Sequence, residues 1–191
     1  MPRLKQDERI HDMSAFQLNT QESLLLLHTK ATGLLARFAH DLEIACSGFS
    51  ALVSVDGETW NATLSIPVSG LSVVGVLHGE RVDKSGLSDS DRAEIEKKIR
   101  QEVFSGRPNV QVTAQGTARF RGEAKVSVGS KSETVQVAHK AVEKGEGKIE
   151  VSGRCQVSMK KLGLEEVKGP LGAFKVSDAV SIVYSMVLVP A

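Results

Sequence analysis

The sequence predicts an all-β protein, an eight-stranded antiparallel β-barrel with one amphipathic α-helix at about residues 89–104. Two long runs, residues 147–159 and 178–189, support this prediction because apolar side chains alternate with polar or small ones along both. A period of two residues is that of a β-strand with one apolar face. Each run is about 12 residues long against a usual ~5–6, and long antiparallel strands of this kind are typical of closed barrels.

The first part of the chain supplies three predicted strands. Strand one covers residues 21–30, and its unbroken run Leu24 to Leu27 suggests a segment that is covered on both faces. After a turn or short helical corner at residues 29–38, strand two covers residues 41–55, and Gly48 is expected to allow a bend or bulge. Asp56-Gly57 is a hairpin signal that leads into strand three, residues 60–70.

The pattern then changes to that of a helix. Ser88 is a suitable N-cap and is followed by acidic first-turn residues, which suit the positive end of the helix dipole. Ile95, Ile99 and Val103 follow at a spacing of four and form a narrow apolar stripe. We expect this stripe to lie against the sheet, and the polar residues Glu96, Lys97 and Arg100 to remain in water.

Strands resume after Pro108, and short turns join most of them. Alternation continues through five further segments, while a glycine-containing loop at residues 162–176 separates the last two. The five predicted strands are residues 109–115, 117–128, 133–142, 147–159 and 178–189.

Composition limits the kind of protein. Lys plus Arg number 24 and Asp plus Glu number 23, for a net charge of +1, which argues against a nucleic-acid-binding surface. A hydrophobic fraction of 41% is sufficient for one core, and we expect a single domain over residues 16–191 after a flexible arm at residues 1–15. The polar N-terminus lacks a signal-peptide pattern and no apolar stretch is long enough to span a membrane. These features predict a cytoplasmic protein, or a periplasmic one if a leader has been removed.

Few residues suggest chemistry. His40 and Asp41 lie in the densest polar cluster, residues 37–43, but adjacent strand residues point to opposite faces and no third partner is visible. The motifs of metal sites, phosphate-binding loops and serine hydrolases are missing, so no cofactor and no metal are predicted. Cys46 and Cys155 do not form a Cys-x-x-Cys pair, and we expect them to be buried free thiols, with a disulfide as the alternative.

Alternation also predicts which side chains face the barrel interior. An eight-stranded barrel is either filled by side chains or holds one small ligand. His139 and Tyr184 are polar exceptions that either bond within the core or contact the polar end of a ligand. The predicted lining is Leu64, Ile66, Val112, Phe120, Val126, Val137, His139, Val151, Ile182, Tyr184 and Met186.

Six segments spread over residues 20–190 match the motifs of a known family. They are residues 37–40, 62–68, 107–113, 122–137, 156–163 and 176–182. Through them the chain resembles the YceI-like family, whose members form lipocalin-like barrels associated with polyisoprenoid lipids. The sequence departs from the family pattern in lacking a hairpin proline near Glu133, in having Leu162 at a corner usually occupied by Phe, and in its longer helix.

The resemblance implies a non-enzymatic protein that binds, transports or sequesters an isoprenoid-type lipid in the barrel. The expected partner is a hydrophobic small molecule (an isoprenoid, a quinone or a fatty acid), and the sequence leaves a homodimer open. One alternative is a filled barrel that acts as an interaction module without a ligand. The other, less favoured, is an enzyme that uses His40 and Asp41.

Overall fold

The computed structural model of the chain describes residues 14–33, 39–118, 120–169, 172 and 174–191. Secondary structure over these residues consists of thirteen strands and one helix, with a 3-10 turn at Val68–Gly70. The helix α1 (Asp89–Lys98) continues as a π-helical turn over Ile99–Val103. The strands are β1 (Ser14–Thr29), β2 (Ala31–Thr32), β3 (Asp41–Cys46), β4 (Ser50–Asp56), β5 (Thr59–Pro67), β6 (Leu71–His78), β7 (Arg81–Asp83), β8 (Asn109–Ala118), β9 (Arg121–Val128), β10 (Lys131–Gly145), β11 (Lys148–Ser158), β12 (Lys175–Val176) and β13 (Ala179–Pro190).

Eight strands close into an antiparallel barrel, as the sequence predicts. Their order around the barrel is β1, β4, β5, β8, β9, β10, β11 and β13, and pairing of β13 with β1 completes the ring. The pairing of β11 with β13 is unbroken from Ile149–Leu188 to Ser158–Ala179, so the two clearest alternating runs of the sequence are neighbours in the wall. Closure of the ring pairs the strand edges that an open sheet would leave exposed.

The bend predicted at Gly48 is present. β3 and β4 are two halves of one long strand, and Gly48 between them has a φ of 69°, a conformation that favours glycine. Across this bend the Ser47 amide donates a hydrogen bond of 2.9 Å to the Gly70 carbonyl. Residues 41–56 and 59–78 therefore form one long hairpin, bent in the middle, whose first half is β4–β5 and whose second half is β3–β6.

The sequence prediction missed β6 and β7. β6 carries apolar residues at nearly every position, and most of them are buried on both faces, so no alternation marks the strand. Gly75 lies where an added Cβ would meet the backbone of Asp83 in β7, which explains how the two segments come so close. Predicted strand three is therefore only the first half of a longer bent element.

The turn between β8 and β9 was placed wrongly. Gly116 lies inside β8, pairing with Trp60, and the chain reverses between Ala118 and Arg121. Phe120 consequently sits in a turn, 48% exposed, and does not face the interior as predicted. Gly116 is needed within the strand because the Trp60 indole occupies the space of a Cβ at that position.

The helix forms where it is predicted. Ser88 and Asp91 make a reciprocal capping box at its start. Ile95 and Ile99 pack against the core, and Val103 is buried within it. The Phe104 amide donates to the Ile99 carbonyl at 3.0 Å, which is the i to i+5 pattern of the π-helical turn.

Two helix residues expected in water are instead bonded to a strand. Glu96 accepts a hydrogen bond of 2.9 Å from the Val73 amide, and Arg100 donates to the Leu71 carbonyl at 3.4 Å. Arg92 donates to the carbonyls of Val73 and Val74, at 3.1 and 2.6 Å. The edge of β6 facing the helix has no strand partner at these residues within the described part of the chain, so polar helix side chains satisfy its backbone.

The helix defines one end of the barrel, which we call the helix end. A contiguous cluster of buried residues lies there, including Phe104, Val128, Leu162 and Val180. The opposite end contains the β4–β5, β8–β9 and β10–β11 turns. The described residues do not include residues 1–13 of the expected flexible arm or residues 34–38 of the expected corner. Ser14, the first described residue, is paired with Val55 of β4.

Candidate binding cavity

The barrel encloses a cavity of about 1120 Å³. Small-molecule sites usually occupy ~300–1,000 Å³, so this volume is large enough for a long ligand. The cavity extends from Ile95 and Ile99 at the helix end to Phe16 and Val55 at the opposite end. Its wall is predominantly apolar, because each barrel strand directs every second side chain inward.

Ten of the eleven predicted lining residues face this cavity, and Phe120 is the exception. Cross-strand pairing places Leu64 beside Val112, and Val112 beside Val126, so three strands contribute one continuous apolar patch. The lining positions are Leu64, Ile66, Val112, Val126, Val137, His139, Val151, Ile182, Tyr184 and Met186.

An aromatic cluster occupies the wall toward the opposite end. Trp60 and His139 contact edge to face, with ring centroids 5.2 Å apart and planes at 76°. The Trp60 ring lies over Gly116 and Gly122, where any larger side chain would collide with it. Trp60 was absent from the predicted lining, although it shares the parity of Leu64 and therefore was detectable from the sequence.

Tyr184 and the two cysteines are polar groups of the wall that carry no charge. Burial raises the pKa of the Tyr184 hydroxyl to about 12, and the neighbouring Cys155 adds to the effect. Burial also raises the pKa of the Cys46 thiol to about 12 and raises that of Cys155. Both cysteines are free thiols that line the cavity; Cys46 is buried as predicted, whereas Cys155 is only partly buried. All three groups are thus neutral at physiological pH and suit an apolar ligand.

His40 and Asp41 have different surroundings. His40 lines the cavity at the helix end, whereas the Asp41 carboxylate accepts a hydrogen bond of 2.8 Å from the Ala31 amide. Asp41 therefore has a structural partner in the neighbouring strand. No three His, Cys, Asp or Glu residues come together as a metal-binding group within the described ranges. Arg37 and Phe38, from the same sequence cluster, lie outside those ranges.

Several residues that line the cavity at the helix end could not be identified from the sequence. The apolar side chains of Leu87, Leu164, Val167, Phe174 and Val176 line the cavity from loops and short strands, where no periodicity identifies them. Within the described part of the chain, three residues with charged side chains line the cavity, namely Lys98, Lys168 and Glu58. None of these positions follows from the alternation of a barrel strand.

No protein-family model matches the chain, and no curated protein matches its sequence. Solved structures do match its fold. BcnA from Burkholderia cenocepacia has a TM-score of 0.63 at 16% identity, over 89% of this chain and 98% of that one. A polyisoprenoid binding domain from Saccharophagus degradans, implicated in plant cell wall breakdown, has a TM-score of 0.63 at 11% identity, over 93% and 99%.

A third structure, of a mutant CJ YCEI protein made for nanotechnology applications, has a TM-score of 0.50 at 11% identity, over 78% of this chain and 84% of that one. The architecture is thus that of a lipocalin-like barrel with an open apolar interior. More particularly, it is the YceI-like barrel fold. Among the described residues, no helix combines the length and apolar character needed to cross a membrane.

Proposed function

We propose that this protein is a YceI-like carrier that binds one long apolar molecule of the isoprenoid type in its cavity and does not alter it chemically. The observation that supports this proposal is the cavity of about 1120 Å³ with its aliphatic wall. The similarity of fold to a polyisoprenoid binding domain agrees with it. Fold alone does not determine a ligand, so the proposal depends on the chemistry of the wall.

A wall of this kind binds by buried area. Burial of each CH₂ contributes ~0.8 kcal/mol, so an isoprene unit contributes on the order of 3 kcal/mol before the costs of association. A prenyl chain has no directional groups, and the neutral thiols and phenol of the wall demand none. Affinity should therefore increase with the number of isoprene units until the cavity is full.

The two alternatives have less support. A filled barrel would leave no room for a ligand, whereas this interior contains a large void. Catalysis by His40 and Asp41 would need both side chains at one substrate, whereas the Asp41 carboxylate is bonded to the Ala31 amide. The aliphatic wall favours binding over turnover.

The sole tryptophan of the chain provides the test, because Trp60 lines the cavity. Delipidated protein is titrated with prenols of increasing length while the Trp60 fluorescence is followed. We expect Kd to fall with each added isoprene unit and then to level off. Native mass spectrometry of the protein as purified, followed by organic extraction, identifies any lipid it already carries. Absence of binding by every prenol, quinone and fatty acid would exclude the carrier function.

A further inference from the structure

The charged residues of the cavity are distributed unequally between its two ends. Lys98 and Lys168 line the helix end, together with His40, and Glu58 lines the opposite end. Between them, no further Lys, Arg, Asp or Glu is found among the described residues of the wall. We infer that the cavity takes amphiphiles with an anionic head group, a carboxylate or a phosphate, which Lys98 binds at the helix end while the apolar tail extends toward Glu58. This inference rests on the proposed function and specifies its ligand class.

Several contacts bring the two lysines to the same end of the barrel. Lys98 is the last residue of α1. The loop that carries Lys168 joins the helix, because the Glu165 amide donates to the Val103 carbonyl at 3.2 Å. Val103 belongs to the buried core of this end, and Val167 packs against that core.

His40 is connected to this end through the small sheet. Lys168 forms an isolated bridge with Lys175, whose strand β12 pairs with β2. The Ala31 amide of β2 donates to Asp41, the residue next to His40. His40, the loop that carries Lys168 and the helix α1 thus lie together at the helix end of the cavity.

The two lysines differ in their availability to a ligand. Lys168 already forms an ion pair of 2.9 Å with Glu166. Lys98 is exposed and lines the cavity, and its side chain has no hydrogen bond or ion pair with the described residues. An ammonium group at the rim of an aliphatic pocket is a suitable donor to an anionic oxygen, and a charge-assisted hydrogen bond is stronger than a neutral one. Lys98 is therefore the main expected contact.

Glu58 determines the orientation of the ligand. It lies in the tight turn between β4 and β5, at the end of β5 far from the helix. A carboxylate there repels an anionic head group and has no effect on a hydrocarbon tail. The wall between the ends is too apolar to accept a charge without a partner. An anionic amphiphile therefore has one favourable direction.

The test compares ligands that share a tail and differ in head group. Delipidated protein is titrated with geranylgeraniol, geranylgeranyl phosphate, hexadecanol and palmitate at low and high salt. We expect each anion to bind roughly three- to tenfold more tightly than its alcohol at low salt, the effect of one partly exposed charge-assisted contact. The difference should shrink at high salt because exposed charges are screened.

Two helix variants make the assignment specific. Lys98→Met keeps an unbranched apolar stem, so it should remove most of the preference for anions and leave the affinity for alcohols nearly unchanged. Lys97→Met, one residue away and outside the cavity lining, should change neither. Equal affinity of anions and alcohols for the unmutated protein overturns the inference while leaving the carrier function intact. An equal loss for anions and alcohols in Lys98→Met also overturns it.

Orientation has its own measurement, since Trp60 lies toward the Glu58 end. Palmitate brominated at its terminal carbon should quench Trp60 more strongly than palmitate brominated beside the carboxylate. The reverse order refutes the proposed direction. A preference for phosphate only, or for carboxylate only, supports the inference and narrows the head group. If no ligand of either kind binds, the proposed carrier function fails and the inference fails with it.

Discussion

Two leucines on opposite faces of the wall provide a direct test of the binding surface. Leu64 of β5 faces the cavity, and Leu52 of β4 points outward with 64% of its surface exposed. The same substitution, leucine to glutamine, can be made at both positions. The two lie on paired strands, since Leu52 pairs with Thr63, so they differ mainly in the face they occupy.

The expected magnitude follows from the environment of Leu64. Its neighbours Val112 and Ala51 are apolar, and both line the cavity. In a bound complex the new amide would meet hydrocarbon without a hydrogen-bond partner, which costs ~1–3 kcal/mol. A loss of about 2 kcal/mol corresponds to roughly 30-fold weaker binding, since ~1.4 kcal/mol is tenfold. Leu52→Gln leaves the interior unchanged and should alter Kd by less than about twofold.

Both variants are titrated with a long prenol, and the change in Trp60 fluorescence gives the Kd of each. The free energy of unfolding is measured in parallel by urea denaturation, so that a loss of fold is not mistaken for a loss of binding. Comparable losses in the two variants, or tight binding by a folded Leu64→Gln protein, would refute the assignment of the binding surface to the barrel interior.

Two further predictions concern stability. Ile99→Asp places an unpaired carboxylate against the core and should cost about 2 kcal/mol or more of stability, a fall in Tm of roughly 4–8 °C. Lys97→Asp, on the exposed side of the helix, should have little effect. Equal shifts of Tm in the two variants would show that the helix does not dock through Ile99. The Lys160 amide and the Ser158 hydroxyl, each 2.7 Å from Asp178, hold the pKa of Asp178 below its usual range. A lowered folded-state pKa adds stability above the unfolded value of ~3.9 that is lost as pH falls through the folded pKa. Asp178→Asn should therefore lower Tm at pH 7 more than at pH 3, and a pH-independent difference would contradict this account.

The sequence predicted the barrel well where one face of a strand is buried and the other is wet. In β11 and β13 apolar residues alternate with polar or small ones in the sequence, and this alternation identified Val151, Ile182 and Met186 as lining residues. The prediction that Phe120 faces the interior was wrong because parity holds only within one strand, and the turn before β9 interrupts the alternation of inward and outward residues. The physical cause is Gly116, which looks like a turn residue but is required beneath Trp60.

Prediction failed where tertiary contacts replace the periodic signal. β6 is covered on both faces, and its outer edge is bonded to Arg92, Glu96 and Arg100 of the helix. From the sequence alone these three residues look like an ordinary solvated face, because nothing local shows that a strand edge needs donors and acceptors there. The loop residues that close the helix end were missed for a related reason, since irregular backbone has no period.

The arrangement of the core explains how the barrel tolerates a large void. The contiguous buried cluster, with Phe104, Val128 and Leu162, lies at the helix end, where the helix and loops pack against the sheet. Lining residues farther along the wall, such as Leu64 and Met186, are only partly buried because they face the cavity rather than one another. Close packing at one end can stabilise the fold, while closure of the hydrogen-bonded ring maintains the wall around empty space. Substitutions in the buried cluster should therefore act mainly on stability, and substitutions in the middle of the wall mainly on ligand binding.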